Sequence, residues 1–88
     1  MRYSVEFSNR AARDLDRLGR DVQERMMRRL EQLAEDPYNA RFSGPLTSQG
    51  GLRKSRIGGW RIIYKVDDET RLLHVVIIER RGQVYQRI

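Results

Sequence analysis

The 88-residue chain is long enough for one domain with a modest hydrophobic core and too short for two. A hydrophobic fraction of 39% argues against disorder, the lack of cysteine excludes disulfides and thiolate metal sites, and no apolar run reaches the roughly 20 residues of a membrane span. The net charge of +6 is uneven: residues 1–51 hold nine basic and eight acidic residues, and residues 52–88 hold nine basic and four acidic ones. Such an excess indicates a polyanionic partner, either nucleic acid or an acidic protein.

The first 37 residues predict a strand followed by two helices. Residues 2–8 alternate between polar and apolar side chains, as in a half-buried strand. Ser8 then provides a helix cap, and the first helix is expected to end at Gly19. Asp21 is the predicted cap of a second helix, which ends before Pro37. The second helix has a charged outer side that we expect to face solvent, although a partner helix could use it; its residues are Arg25, Arg28, Arg29, Glu31 and Glu35.

Residues 37–51 link the helices to the strands that follow. They show no periodic pattern, and glycine and proline mark turns at residues 44–45 and 50–51. A link of this length is either a functional loop or a simple crossover, and the sequence leaves both interpretations open.

Residues 52–66 predict a β-hairpin. Two alternating runs are separated by Gly58 and Gly59, and adjacent glycines favour a tight turn because both can adopt positive φ. With these two residues as the loop, the facing pairs are Ile57 with Trp60, Arg56 with Arg61, and Lys54 with Ile63. The hairpin therefore has a cationic face, formed by Lys54, Arg56 and Arg61, and an apolar face, formed by Ile57, Trp60, Ile62 and Tyr64.

A further strand is predicted at residues 72–78, after a polar turn at residues 67–70. Its near-continuous apolar sequence is typical of a central strand that is covered on both faces. A four-residue loop places Val66 opposite Arg71, and the strand then contributes Leu73, Val75 and Ile77 to the core and places His74 and Val76 beside Ile63 and Arg61. The predicted fold is α+β, a two-layer β-α-α-β-β-β arrangement in which a mainly antiparallel sheet packs on a helical hairpin, with a short tail.

The residue types favour phosphate chemistry over other kinds of site. One histidine, no cysteine and one acidic cluster in a turn do not make a metal-ligand set, and no serine triad or carboxylate pair is evident. We therefore expect neither a metal nor another cofactor. A cationic face can support cleavage of an RNA phosphodiester, in which a base activates the 2′-OH and arginines stabilise the charged transition state.

Several segments together resemble one family over nearly the full length of the chain. These are YSVEFS at the start, LAEDPY at the end of the second helix, LRKSRIGGWRIIYKVDDE in the hairpin and ERRGQVY near the end. The most specific elements are R-x-G-x-[WY]-R-x-x-Y from Arg56 to Tyr64 and R-x-x-V-Y from Arg81 to Tyr85. On these residues the chain is similar to the RelE/ParE superfamily of type II toxin-antitoxin toxins, which implies a single RelE-like domain, with a microbial RNase-like fold, over residues 1–88.

The resemblance also implies roles for single residues in mRNA cleavage at the ribosomal A site. Lys54 matches a residue that activates the 2′-OH, Arg61 one that holds the scissile phosphate, and Arg81 one near the leaving oxygen, while Tyr85 matches an aromatic residue that stacks on an mRNA base. Additional phosphate contacts are expected from Arg53, Arg56 and Arg80.

Some residues allow a second interpretation. His74 is either a secondary proton-transfer group or a structural histidine. For Arg61 the alternative is a surface ion pair with Asp67 or Asp68. The chain also departs from the family pattern, because Leu52 stands where some members have a second lysine and Arg80 where others have histidine.

Two functions follow from the resemblance. The first is a metal-independent, ribosome-dependent mRNA endoribonuclease that inhibits translation in the cytoplasm. Its partners would be the ribosome, mRNA and a RelB-like antitoxin, in a hetero-oligomeric complex that binds operator DNA through the antitoxin. The second is a ParE-like inhibitor of DNA gyrase without RNase activity. A nucleic-acid-binding module without catalysis is a third interpretation of the same charge pattern.

Overall fold

Two helices and five strands form two layers in the computed structural model, which describes residues 2–46 and 50–80. In chain order the elements are β1 (Ser4–Phe7), α1 (Asn9–Asp16), α2 (Arg20–Glu35), β2 (Gly44–Pro45), β3 (Leu52–Ile57), β4 (Trp60–Asp67) and β5 (Leu72–Arg80). The sheet order is β1-β5-β4-β3-β2, in which β1 runs parallel to β5 and the other pairs are antiparallel. The predicted α+β class is confirmed. The two-residue strand β2, which pairs with Arg53 and Lys54 at the sheet edge, was not predicted.

The helix ends agree with the sequence in part. Ser8 caps α1 as predicted, because its Oγ accepts a hydrogen bond of 2.9 Å from the Ala11 N–H. The predicted cap of α2 is wrong: the N-cap is Gly19, whose backbone is extended, and Asp21 lies inside the first turn. An acidic residue is still favourable there, because it interacts with the positive end of the helix dipole.

The main core lies between the helices and one face of the sheet. The helices contribute Ala11, Met26, Leu30 and Leu33, and the sheet contributes Ile57, Ile62, Tyr64, Leu73, Val75 and Ile78, joined by Tyr3. All are buried. This is the apolar face that the hairpin pattern predicted.

The β3–β4 hairpin has the predicted register. Ile57 pairs with Trp60, Arg56 with Arg61 and Lys54 with Ile63. Only Gly58 has positive φ, at +55°, so the turn has the φ pattern of type II′ and does not require positive φ at both glycines.

The pairing of β4 with β5 differs from the prediction. Asp67 pairs with Leu72 and Val66 with Leu73, so the four-residue loop is one residue later than predicted and Val66 does not face Arg71. The register also shifts between Ile63 and Tyr64.

This shift is a β-bulge on β5, and it changes which side chains meet. Tyr64 pairs with Val75 but Ile63 pairs with Ile77, so Val76 is the extra residue. Ile78, and not Ile77, therefore joins the core cluster. On the other face, Arg61 lies opposite Glu79 where Val76 was expected, and Lys65 lies opposite His74.

Candidate nucleic-acid interface

Three of the predicted basic residues lie on one face of the β3–β4 hairpin. Arg56 and Arg61 are directly paired across the ladder, and Lys54 lies two residues along β3 from Arg56. Side chains at these positions point to the same side of a sheet because the side-chain period of a strand is two. The cationic face predicted from the sequence is therefore present in the fold.

Arg61 occupies a closed part of this face. Its side chain is 11% exposed, and its Nε donates a hydrogen bond of 2.7 Å to Oε2 of Glu79, whose side chain is also 11% exposed. The neighbouring Ile63 is likewise buried. The partner differs from the predicted alternatives, Asp67 and Asp68, because the bulge on β5 places Glu79 directly opposite Arg61.

Lys54 and Arg56 instead border an open cavity of about 240 Å³ at the edge of the sheet, which we call the edge pocket. Its lining consists of Arg29, Ala40, Arg41, Phe42, Ser43, Gly44, Lys54 and Arg56. None of these residues is acidic, and within residues 2–46 and 50–80 none of the four cations forms an ion pair. Positive charge is thus concentrated without a compensating carboxylate, which favours an anionic ligand.

Arg29 reaches the edge pocket from α2. Its Nη1 donates hydrogen bonds to the Ser55 hydroxyl (2.9 Å) and to the backbone carbonyl of Arg56 (2.6 Å), and its Nε donates to Gln32. Burial lowers the pKa of Arg29, although a guanidinium remains charged near neutral pH. The prediction that Arg29 belongs to a solvated helix side is wrong, because Arg29 bridges α2 to β3.

The other wall of the edge pocket is the loop before β2. The Phe42 ring lies 4.8 Å from the Arg29 guanidinium carbon and 5.6 Å from that of Arg41. These residues were missed because they fall in the stretch without periodicity. Their only signal in the sequence is an aromatic residue next to an arginine.

Buried hydrogen bonds hold this loop in place. The Tyr64 hydroxyl donates to the Pro37 carbonyl (2.7 Å) and is hydrogen bonded to Ser43, and the Nε of Arg53 donates to the Ser43 Oγ (2.8 Å). Burial raises the pKa of Tyr64, so its hydroxyl remains protonated at neutral pH. The core tyrosine therefore fixes the position of the loop that carries Arg41 and Phe42.

The remaining predicted site residues do not join this cluster. Arg53 points away from Lys54, since adjacent strand residues face opposite sides, and its guanidinium lies 5.0 Å from the Tyr38 ring. Arg80 pairs with Trp60 on the face opposite Arg61 and lies 5.0 Å from the indole ring. His74 shares the cationic face but lies opposite Lys65, two same-face positions along β4 from Arg61.

Arg81 and Tyr85, to which the resemblance assigns roles in catalysis and base stacking, lie outside the described residues. In the described part of the chain, no group of three or more histidine, cysteine or acidic residues is arranged to hold a metal ion. The same part contains no helix that is long and apolar enough to cross a membrane.

Comparisons with known proteins agree with the fold and with the sequence motifs. The sequence model of the family described as ParE toxin of type II toxin-antitoxin system, parDE, matches residues 5–85. Toxin RelG of Mycobacterium tuberculosis is 28% identical over 89 residues, which cover 99% of this chain and 100% of that protein.

Two solved structures have nearly the same architecture. The isolated RelE toxin of Escherichia coli is similar with a TM-score of 0.79 and 26% identity, over 97% of this chain and 93% of that one. A chain of the RelBE2 toxin-antitoxin complex of Mycobacterium tuberculosis gives a TM-score of 0.80 and 26% identity, over 92% of this chain and 100% of that one. The fold is therefore RelE-like, and the chain belongs to the ParE toxin family of type II toxin-antitoxin systems, within the RelE/ParE superfamily.

Proposed function

We propose that this toxin is an mRNA endoribonuclease that cleaves messages in the ribosomal A site and so inhibits translation. The observation that carries the proposal is the placement of Lys54 and Arg56 at the edge pocket, where four cations line an open cavity without an acidic residue. Cleavage of an RNA phosphodiester needs such fixed positive charge, because negative charge increases on the phosphate in the transition state.

The proposed reaction uses side chains of this chain. Lys54 reacts as the neutral amine: it accepts the proton of the 2′-OH, and the resulting 2′-oxygen attacks the adjacent phosphorus. Arg56 stabilises the charge on the phosphate oxygens. The P–O5′ bond then breaks to leave a 2′,3′-cyclic phosphate, and the departing 5′-oxygen takes up a proton from solvent. Arg81 lies near this oxygen by resemblance. Tyr85 is proposed to stack on a base of the mRNA, also by resemblance.

Arg61 can bind the scissile phosphate only if its ion pair with Glu79 opens or is shared. Its guanidinium is bound to the Glu79 carboxylate, and a phosphate would have to replace that carboxylate or share the guanidinium with it. Arg presents several donors in a planar fork, so sharing is geometrically feasible. Arg53 is bound to Ser43 but does not itself line the edge pocket, and neither do Arg80 and His74. Any contact that these three residues make with RNA would be to flanking nucleotides.

Primer-extension mapping of cellular mRNA after brief induction tests the proposal. We expect discrete breaks within translated codons that disappear when translation is blocked. Intact messages during growth arrest would reject the nuclease.

The Lys54→Ala variant tests the proposed base. We expect cleavage to fall at least about 100-fold, since a positioned general base contributes about that much or more. Arg28→Ala is the matched control, because Arg28 is exposed on α2 and does not line the edge pocket. Equal cleavage by wild type and Lys54→Ala would remove Lys54 from the mechanism.

A ParE-like gyrase inhibitor is the second candidate function. The matching family model is that of ParE toxins. In addition, Glu79 is bound to Arg61, the arginine that the nuclease would use on the scissile phosphate. The experiment that separates the two is the recovery of DNA from induced cells. Covalent gyrase-DNA complexes together with intact mRNA support the inhibitor.

The proposed partners include an antitoxin in either case. Solved structures described as toxin-antitoxin complexes of RelE with RelB show chains similar to this one. We propose that a RelB-like antitoxin covers the cationic face with an acidic, amphipathic segment and that the complex binds operator DNA through the antitoxin. The toxin would then act in the cytoplasm, where mRNA and ribosomes are found.

A further inference from the structure

We propose that the part of the edge pocket formed by Arg29, Arg41 and Phe42 is a second phosphate site, which binds the RNA backbone one or more nucleotides away from the scissile phosphate at Lys54 and Arg56. The inference rests on the proposed function for the identity of the polyanion. It goes beyond that function because it assigns binding to Arg29, Arg41 and Phe42, none of which the catalytic scheme uses.

Positive charge accumulates at the edge pocket. Arg29, Arg41, Lys54 and Arg56 come from three separate segments, α2, the loop before β2, and β3, and they converge on one cavity. Like charges gathered in this way repel one another, and the repulsion is relieved when an anion binds. The charge of Arg61 is compensated by the Glu79 carboxylate, whereas no acidic residue is among the described residues that line the edge pocket.

The guanidinium group of Arg29 is held in position before any ligand arrives. Arg29 is fixed by its bonds to Ser55 and to the Arg56 carbonyl, and it also stacks on Phe42. Arg41 lies near the ring of Phe42 as well, and the Asn39 side chain accepts a hydrogen bond from the backbone N–H of Arg41. Preorganised donors bind more tightly because less side-chain entropy is lost on binding.

The edge pocket has room for a phosphate group and continues the cationic face. The cavity of about 240 Å³ is several times the roughly 30 Å³ that one water molecule takes in the liquid, so it can hold a hydrated phosphate group. Lys54 and Arg56 lie at once in this lining and on the cationic face. An RNA strand whose scissile phosphate meets Lys54 would therefore continue across the edge of the sheet toward Arg41.

Arg41→Ala is the most direct variant for a test. The Arg41 side chain stacks near Phe42 and makes no hydrogen bond in the described part of the chain, so its removal leaves the protein bonds in place. Binding of a fluorescein-labelled 2′-O-methyl RNA is measured by anisotropy at several salt concentrations. The methyl group removes the nucleophile, so binding is observed without cleavage.

We expect Arg41→Ala to weaken binding by about fivefold or more at low salt and to reduce the slope of log K against log salt by about 0.7, the value for one phosphate contact to a single strand. Arg41→Lys should keep the slope, and Arg28→Ala should stay within about twofold of wild type. Thermal unfolding of each variant confirms that the fold is retained.

Three results would overturn the second phosphate site: no binding by wild type, equal slopes for wild type and Arg41→Ala, or an equal loss in Arg28→Ala, which would indicate a net-charge effect. The outcome is separable from that of the nuclease. If no mRNA breaks occur but the salt slopes of wild type and Arg41→Ala still differ, only cleavage is rejected. If mRNA is cleaved normally but the two slopes are equal, only the second phosphate site is rejected.

Discussion

Arg61 and the basic residues of the edge pocket share one face of the sheet, yet their positive charges are balanced in different ways. Arg61 is buried and bound to the Glu79 carboxylate. Arg56, its direct cross-strand partner, is exposed and borders a pocket with three more cations and no acidic residue. The difference shows that basic residues of one sheet face need not have one role, because burial requires a counter-charge and exposure does not.

The largest expected effect on stability comes from breaking the buried pair. Glu79→Ala leaves the Arg61 guanidinium buried without this carboxylate, and we expect the free energy of unfolding to fall by about 3 kcal/mol. Urea denaturation of the variant measures the loss. A double-mutant cycle with Arg61→Met should show that the double variant is more stable than Glu79→Ala alone.

The same cycle decides how an Arg61→Ala variant would be interpreted in a test of growth arrest. If the cycle gives strong coupling, then Arg61→Ala removes toxicity partly by destabilising the fold, and only Lys54→Ala reports on chemistry. An Arg61–Glu79 coupling near zero would contradict the view that the closed part of the face is structural.

A smaller effect is expected at the bridge between α2 and β3. Arg29→Lys keeps the charge in the edge pocket but loses the planar guanidinium, in which Nη1 donates to Ser55 and to the Arg56 carbonyl while Nε donates to Gln32. We expect a loss of about 1.5 kcal/mol in the free energy of unfolding, measured by urea denaturation. Arg28→Lys is the matched control on the same helix. Equal stability of the two variants would mean that Arg29 does not fix the wall of the pocket.

The hairpin turn places Arg56 and Arg61 opposite each other, and its two glycines should respond differently to substitution. Gly58 has a φ of +55°, and an added Cβ would lie 2.8 Å from Nη2 of Arg25, the flexible end of a long side chain. Gly59 has open space and no positive φ. We expect Gly58→Ala to lower the midpoint of thermal unfolding by the equivalent of about 1 kcal/mol, mainly through backbone strain, and Gly59→Ala to cost less. The reverse order would contradict the type II′ assignment.

The smallest effect is expected at an exposed carboxylate that serves as a contrast to Glu79. Asp68 accepts hydrogen bonds from the hydroxyls of Tyr3 (2.5 Å) and Tyr38 (2.9 Å), and these bonds lower the pKa of Asp68 from its ordinary value of 3.8. A carboxylate with a lowered folded-state pKa stabilises the protein above its unfolded-state pKa, and this contribution is lost as pH falls through the folded-state value.

Thermal unfolding across the acidic range tests this contribution. We expect the difference in midpoint between wild type and Asp68→Asn to be largest at neutral pH and to narrow below about pH 4. A difference that does not change with pH would show that the effect of the substitution is not electrostatic.

The predictions from the sequence succeeded where short-range pattern decides the structure. The glycine pair and strict alternation fixed the β3–β4 register, and with it the shared face of Lys54, Arg56 and Arg61. The Ser8 cap and the apolar stripes of the helices were likewise evident, because caps and helical periodicity are local signals.

The predictions failed where a shift of one residue in the strand register changes which side chains meet. The bulge at Val76 reversed the faces of the last strand residues, so strict alternation provided no reason to pair Arg61 with Glu79. A bulge depends on how two strands twist against each other, and single-strand alternation carries no trace of it. Arg29 was misassigned for a related reason, since a helix side can be solvated along most of its length and still touch a sheet edge at one turn.

The sequence by itself determined the class of this protein: a basic hairpin with one apolar and one cationic face, preceded by two amphipathic helices, in the order of a RelE/ParE toxin. Only the tertiary structure decided which cations face a carboxylate and which face an open pocket. The reason is that periodicity specifies the face of a strand on which a side chain lies, whereas its neighbours on that face depend on register, bulges and contacts between segments that are distant in the chain.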